Sequence, residues 1–158
     1  MSVVVRPARP GDGAAIHAMV TALADSHGHG EDMVARAEDF EAALFSPDPI
    51  VGALIATLDG VPAGCAIWHR SFGTFRGREL MYLEDLSVLP QFRRRGIGQA
   101  LLRAVARLAL EKGYPSVFWM MMAWNDGARA LYQAAGAEIE DGACFCRLHG
   151  EALERLAR

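Results

Sequence analysis

The chain has 158 residues, is 52% apolar by a wide count and 22% charged, and carries a formal net charge of -3. That composition supports a single packed domain over residues 1–158 and excludes a disordered chain. A net negative balance argues against a general nucleic-acid binder, and no apolar run approaches the roughly 20 residues of a membrane-spanning helix. Met1–Pro7 is short and interrupted by Arg6, so no export signal is expected. Cys65, Cys144 and Cys146 have no framework spacing, and read as small buried hydrophobes in a reducing cytoplasm.

In chain order, Ser2–Arg6 is strand-like, and a helix follows with Asp12 as its cap and Ile16, Met19, Val20 and Leu23 as its apolar stripe. Ser26–Gly30 breaks it, and a second helical piece near Ala35–Phe45 ends before Pro47 and Pro49. Val51–Leu58 and Val61–His69 flank Asp59–Gly60, a strong hairpin signal. Phe72–Arg78 reads as a loop, Glu79–Val88 as a strand, and Leu89–Arg95 as a turn. The helical run Gly96–Lys112 shows Ile97, Leu101, Ala104, Val105 and Leu108 on one face, with Gly113 as its stop. Ser116–Ala123 is continuously apolar and is expected to be a fully buried strand. Asn125 or Asp126 caps a last major helix, Ala143–Leu148 is expected to be a terminal strand, and Glu151–Arg158 a short amphipathic tail. The order β α α β β β α β α β predicts an α/β (α+β) fold. Its mixed sheet should have about six or seven strands, a central parallel βαβ unit and flanking helices.

The turn carries the chemistry. A strand that ends in glycine-punctuated backbone and opens a helix presents unpartnered N–H groups and the positive end of the helix dipole. Gly96 and Gly98 keep side chains out of the way, and Arg93, Arg94 and Arg95 add charge. The natural guest is a pyrophosphate. The pattern is neither the dinucleotide fingerprint, because Leu101 stands where the third glycine belongs, nor a P-loop. Glu84 and Asp85 sit on the strand just upstream. On a regular strand they point to opposite faces; a bulge would aim both to one side. Tyr132 lies seven positions beyond Asn125, almost two helical turns, and taken alone reads as a core aromatic. Trp119, Trp124 and Met120–Met122 read as core, and His27 and His29 as loop residues with no metal expected.

The R-x-x-G-x-G pattern at Arg93, Gly96 and Gly98, Y-L-E-D-L-S-V at 82–88, W-N-D-G-A-R-A-L-Y-Q-A-A-G-A at 124–137 and the R-P-A start at Arg6–Ala8 together resemble the GNAT acyltransferase superfamily. The chain is most similar to its diamine (spermidine/spermine) N-acetyltransferase branch. The resemblance implies a GNAT-like fold and transfer of an acetyl group from acetyl-coenzyme A to a primary amine of a small molecule, such as a polyamine, diamine or lysine-like amino acid. It implies direct attack in a ternary complex, with no metal. It assigns Arg93, Arg94, Arg95, Gly96, Ile97, Gly98 and Gln99 to the phosphates, and the backbone of Leu86, Ser87 and Val88 to the pantetheine arm, with the sheet open beyond that strand. Asn125 is assigned to the pantetheine, Tyr132 to protonation of the leaving thiolate, Glu84 to deprotonation of the amine, and Glu84 and Asp85 to binding it. It also implies a cytoplasmic homodimer. The segment Ala24–Glu31 does not match the branch's acidic residues position by position, although Asp25, Glu31 and Asp32 lie there. Alternatives are an N-acetyltransferase acting on protein or an aminoglycoside, and a non-catalytic acyl-coenzyme A sensor.

Overall fold

The computed structural model describes residues 2–158, which form two compact units, one ending at Asn125 and one spanning Asp126–Arg158. The first unit runs β1 (Val3–Pro7), α1 (Gly13–Ser26), α2 (Ala37–Phe45), β2 (Gly52–Leu58), β3 (Val61–Gly73), β4 (Arg78–Val88), α3 (Ile97–Glu111) and β5 (Val117–Phe118). The second contains α4 (Asp126–Ala134) and α5 (Gly150–Leu156). The strands form one sheet in the order β1-β2-β3-β4-β5; the first four are antiparallel and β5 runs parallel to β4. The mixed α/β architecture is the expected one, but the sheet has five strands among the described residues rather than six or seven.

Local chemistry sets the registers. Asp59 and Gly60 both adopt positive φ, 50° and 84°, which a two-residue type I′ turn requires. Leu58 therefore pairs with Val61. The next hairpin is tighter than its sequence suggested. β3 runs on to Gly73, β4 starts at Arg78, and Gly77 closes the loop by donating its N–H to the Gly73 carbonyl at 2.8 Å. Asp12 precedes α1 without capping it through its side chain. Its carboxylate instead takes both Arg6 Nη atoms, at 2.6 and 3.0 Å, and the Arg9 N–H. Glu41 of α2 accepts from the Gly13 N–H at the start of α1, tying the two helices together.

Side chains alternate across β3 and divide the core into two layers. Cys65 and Ile67 pack with Ile16 and Met19 of α1, Leu44 of α2 and Ile55 of β2. On the opposite face, α3 lies against Gly64, where an added Cβ would stand 3.2 Å from both Ile97 and Leu101 and 2.6 Å from the Ser87 carbonyl oxygen. The buried face of α3 is Ile97, Leu101, Leu102, Val105 and Ala109. Each fully buried aliphatic side chain of this kind contributes about 1.5–3 kcal/mol. The Ser87 hydroxyl donates to the Met19 carbonyl at 2.7 Å and pins α1 to β4.

Among the described residues, one expected strand is cut to two residues and another is absent. Of Ser116–Ala123, only Val117 and Phe118 pair with β4, opposite Met81 and Tyr82. The run is not buried either: Phe118, Met120 and Met122 are exposed, as is Trp124 just beyond it. Apolar character alone did not decide the matter, because β4 changes register between Leu83 and Asp85, just beyond its last pair with β5, and withdraws the template. Ala143–Leu148 forms no strand, and Cys144, Phe145 and Cys146 are exposed. An extended segment needs a ladder partner, and none of the described strands supplies one. Of the three cysteines, only Cys65 is a buried hydrophobe. Its thiol is pushed up to about 12, chiefly by burial and secondarily by the charge of Asp85.

The tight seat of α3 makes a test. Gly64→Val should lower stability by about 1–3 kcal/mol through overpacking against Ile97, Leu101 and the β4 backbone, read as a fall in the denaturant midpoint.

Candidate active site

The turn between β4 and α3 has the anticipated form. Pro90–Phe92 make one short 3-10 turn, and Arg94 and Gly96 then adopt positive φ, 62° and 78°. Gly96 is the residue before the helix, in left-handed conformation with open space beside it. Its carbonyl accepts from Ala100, so the N–H groups of Ile97, Gly98 and Gln99 precede the first helical donor. Arg94, Arg95 and Gln99 are exposed at this point, while Ile97 is buried beneath it. Arg93 Nε donates back to the Val88 carbonyl at 3.2 Å, bracing the end of the strand. The turn therefore combines amides without intrahelical partners, a dipole end and guanidinium charge, a set suited to a diphosphate.

Upstream, β4 holds the acidic residues at an irregularity. Asp85 pairs with Ile67 and Leu83 with Trp68, so Glu84 is the extra residue of a β-bulge. Opposite it, β3 stays regular, and its residues Cys65, Ile67 and His69 share one face. Asp85 lies opposite Ile67 on that face, and Tyr82 lies opposite His69, with ring centroids 4.9 Å apart. The Glu84 Oε2 atom is 3.5 Å from His69 Nε2. The bulge thus brings Tyr82, Glu84 and Asp85 to one side of the strand. Burial, with a smaller contribution from Glu84, pushes the Asp85 carboxyl up to about 6. Burial and then the two carboxylates also raise the Tyr82 phenol.

The sheet opens beside this group. β4 pairs with β5 only at Met81 and Tyr82; from Leu83 to Val88 it has no ladder partner on that side among the described residues. Leu86, Ser87 and Val88 lie along this stretch, with the Ser87 side chain turned into the core. Trp124 packs edge-on against His27 at 5.3 Å between centroids, at the C-terminal end of α1. Burial, then His29 and Arg93, lower the His27 imidazole. Asn125 follows, its N–H bonded to the Met122 carbonyl, and closes the first unit. Tyr132 belongs to the second, on α4, where it is buried and its phenol is raised by that burial. A cavity of about 840 Å³ borders Trp68, Lys112 and Tyr114 and touches His69, but neither the turn nor Glu84 lines it. Among the described residues no cluster of His, Cys, Asp and Glu is suited to a metal, and no helix is long and apolar enough to cross a membrane. His69 escaped the sequence reading; only the cross-strand register, set by the short 74–77 loop, reveals its place beside Glu84.

Glycine turn, bulged acidic strand and parted sheet edge define an acyl-transfer scaffold, and the chain belongs to the acetyltransferase (GNAT) family, whose model matches residues 16–137. It is an N-acetyltransferase enzyme. The chain is 32% identical to a thialysine N-epsilon-acetyltransferase of Bos taurus, over 98% of this chain and 97% of the relative. It is also 32% identical to the L-ornithine N5-acetyltransferase NATA1 of Arabidopsis thaliana, over 75% of this chain and 49% of that protein. Among solved structures, an integron cassette protein from the mobile metagenome of V. cholerae superposes with a TM-score of 0.79 at 23% identity, covering 100% of this chain and 99% of that one. That likeness concerns the fold.

The raised Asp85 carboxyl has a consequence for stability. Its pKa is 3.8 ordinarily and about 6 in the fold, so over that interval the folded state binds the proton more tightly and stability falls as pH rises. Asp85→Asn removes this cost. The stability of the variant relative to the parent should rise by roughly 2 kcal/mol between about pH 4 and about pH 7, measured by urea unfolding at both pH values.

Proposed function

We propose that this chain acts as one domain that moves an acetyl group from acetyl-coenzyme A to the primary amine of a small, lysine-like or diamine substrate. The observation that carries this reading is the bulge at Glu84, which sets two carboxylates on one face beside an unpaired strand edge. A carboxylate pair attracts an alkylammonium and can take its proton. The full-length similarity to thialysine acetyltransferases and the partial similarity to an ornithine acetyltransferase, both acting by name on amino-acid side-chain amines, favour a lysine-like acceptor. The segment 24–31, which lacks the polyamine branch's acidic pattern, gives less support to spermidine.

In this reading the backbone N–H groups of Ile97, Gly98 and Gln99, with Arg94 and Arg95, hold the diphosphate of coenzyme A. The open edge of β4 at Leu86, Ser87 and Val88 holds its pantetheine arm like an added strand, and Asn125 adds a polar contact. Arg93 supports the turn through Val88. The bound thioester supplies the acetyl group. Glu84 and Asp85 bind the amine, and Glu84 accepts its proton, because an alkylammonium with a pKa of about 10.4 has no free lone pair near neutrality. Tyr132 returns a proton to the departing sulfur, a role suited to a phenol that burial keeps protonated. Transfer is direct within a ternary complex: no cysteine lies among these groups, and no metal is required. The protein acts in the cytoplasm as a homodimer.

A thiol-release assay with acetyl-coenzyme A and thialysine, ornithine, lysine, putrescine and spermidine tests the assignment; release with none of them removes it. Glu84→Gln should lower kcat/KM at neutral pH by about 10²–10⁴-fold, with the deficit shrinking as pH rises and free amine accumulates. A deficit that is the same at every pH refutes the base role. Tyr132→Phe should cut kcat at least about tenfold while coenzyme A affinity by calorimetry stays within about twofold.

A further inference from the structure

Across the β3–β4 ladder, His69 Nε2 lies 3.5 Å from Glu84 Oε2, and His69 Nδ1 lies 3.1 Å from the Arg70 carbonyl oxygen. A carbonyl oxygen only accepts, so Nδ1 carries the hydrogen of that contact. The neutral ring then turns the lone pair of Nε2 toward the carboxylate. Lone pairs facing each other at this range repel, and the contact becomes favourable when a proton lies between them. The Tyr82 ring lies tilted against the imidazole, its centroid 4.9 Å away. About a third of the His69 side chain, 35%, is open to solvent.

We propose that His69 is the second station for the proton that Glu84 takes from the amine. This rests on the assignment of Glu84 as base. The substrate ammonium breaks an N–H bond as Glu84 forms an O–H bond; the O–H bond then breaks as Nε2 forms N–H. The carboxylate is regenerated beside an imidazolium, which releases the proton to water. One proton leaves the amine, one reaches solvent, and the freed lone pair attacks the acetyl carbon; no further reactant is needed. Imidazoles are in general about two pKa units more basic than carboxylates. That difference matters because a carboxylate alone is a weak acceptor for a proton from an alkylammonium. The charged and titratable groups around His69 are Tyr82, Glu84 and Asp85 from β4, and Arg70, which pairs with Glu79 at 3.5 Å. Asp48 and Lys112 border the cavity that His69 touches, and Lys112 sits over Trp68.

The test is steady-state kinetics with acetyl-coenzyme A and thialysine across pH for His69→Phe and His69→Gln, each alone and in the Glu84→Gln background. Both single variants should lose about tenfold or more in kcat near neutrality, with the KM for thialysine and the affinity for coenzyme A little changed. The loss should fade at high pH. In the Glu84→Gln background, replacing His69 should cost nothing further, because the two residues act in series. Glutamine keeps a polar side chain but has no titrating nitrogen, so parental kcat in His69→Gln overturns the relay. A His69 loss that persists in the Glu84→Gln background, or at high pH, also overturns it. If the parent protein acetylates no amine, the functional reading falls and takes the relay with it; normal turnover by both His69 variants sinks the relay alone.

Discussion

One extra residue in β4 organises the first unit of this protein. A regular strand would send Glu84 and Asp85 to opposite faces, one toward α3 and the other toward α1 and α2. The bulge at Glu84 removes that alternation. It also falls two residues after the last pair that β4 makes with β5, and bulges add local twist that draws a strand away from its neighbour. Collecting the carboxylates and parting the sheet are therefore two effects of a single backbone irregularity. On the proposed reading, they create the amine site and the edge that accepts the acyl donor together.

The same feature has an electrostatic cost. Asp85 is carried into the layer that contains Cys65 and Ile67, where burial and Glu84 both oppose its ionisation. Cys65 and Tyr82 are harder to ionise too, chiefly through burial, and then through Asp85 at Cys65 and through Glu84 and Asp85 at Tyr82. A fold under selection for stability alone has no reason to keep two acids in register at a parted sheet edge. A cation arriving between them would reverse the sign of the interaction, since an opposite charge within about 4–6 Å favours the ionised form. The strain thus lies where an ammonium would relieve it.

The features legible in the sequence are those fixed by local chemistry. Asp59–Gly60 specified a turn with two positive φ values, and the glycines at 96 and 98 marked the turn that opens α3; both follow from a few neighbouring atoms. The amphipathic face of α3 was visible from its period, although Leu102 and Ala109, rather than Ala104 and Leu108, complete its buried stripe. Non-local facts were not legible. Ser116–Ala123 is apolar enough for a buried strand, yet strand formation depends on what β4 offers, and β4 offers only Met81 and Tyr82. Asp12 looked like a helix cap because it stands where caps stand, but Arg6, six residues earlier, competes for its carboxylate and wins with two charge-assisted bonds. His69 carried no motif at all; its significance comes from the register of a hairpin whose loop is shorter than its composition suggested.

The packing of α3 connects the two ends of the proposed reaction. β4 runs from Glu84 to Val88 and passes into the turn, so the acidic group lies four strand steps, roughly 13 Å, from the end of the strand. That distance stays constant only if neither the strand nor the helix can slide. Gly64 prevents sliding on one face, since its missing side chain lets Ile97 and Leu101 sit directly on β3 beside the Ser87 carbonyl. Ser87 prevents it on the other, its hydroxyl bonded to the backbone of α1. The strand is clamped between two helical layers one residue from its end, and Arg93 closes the last gap by holding the Val88 carbonyl. A site assembled from backbone amides has no side-chain rotamers with which to correct its position, so its accuracy is inherited from this packing.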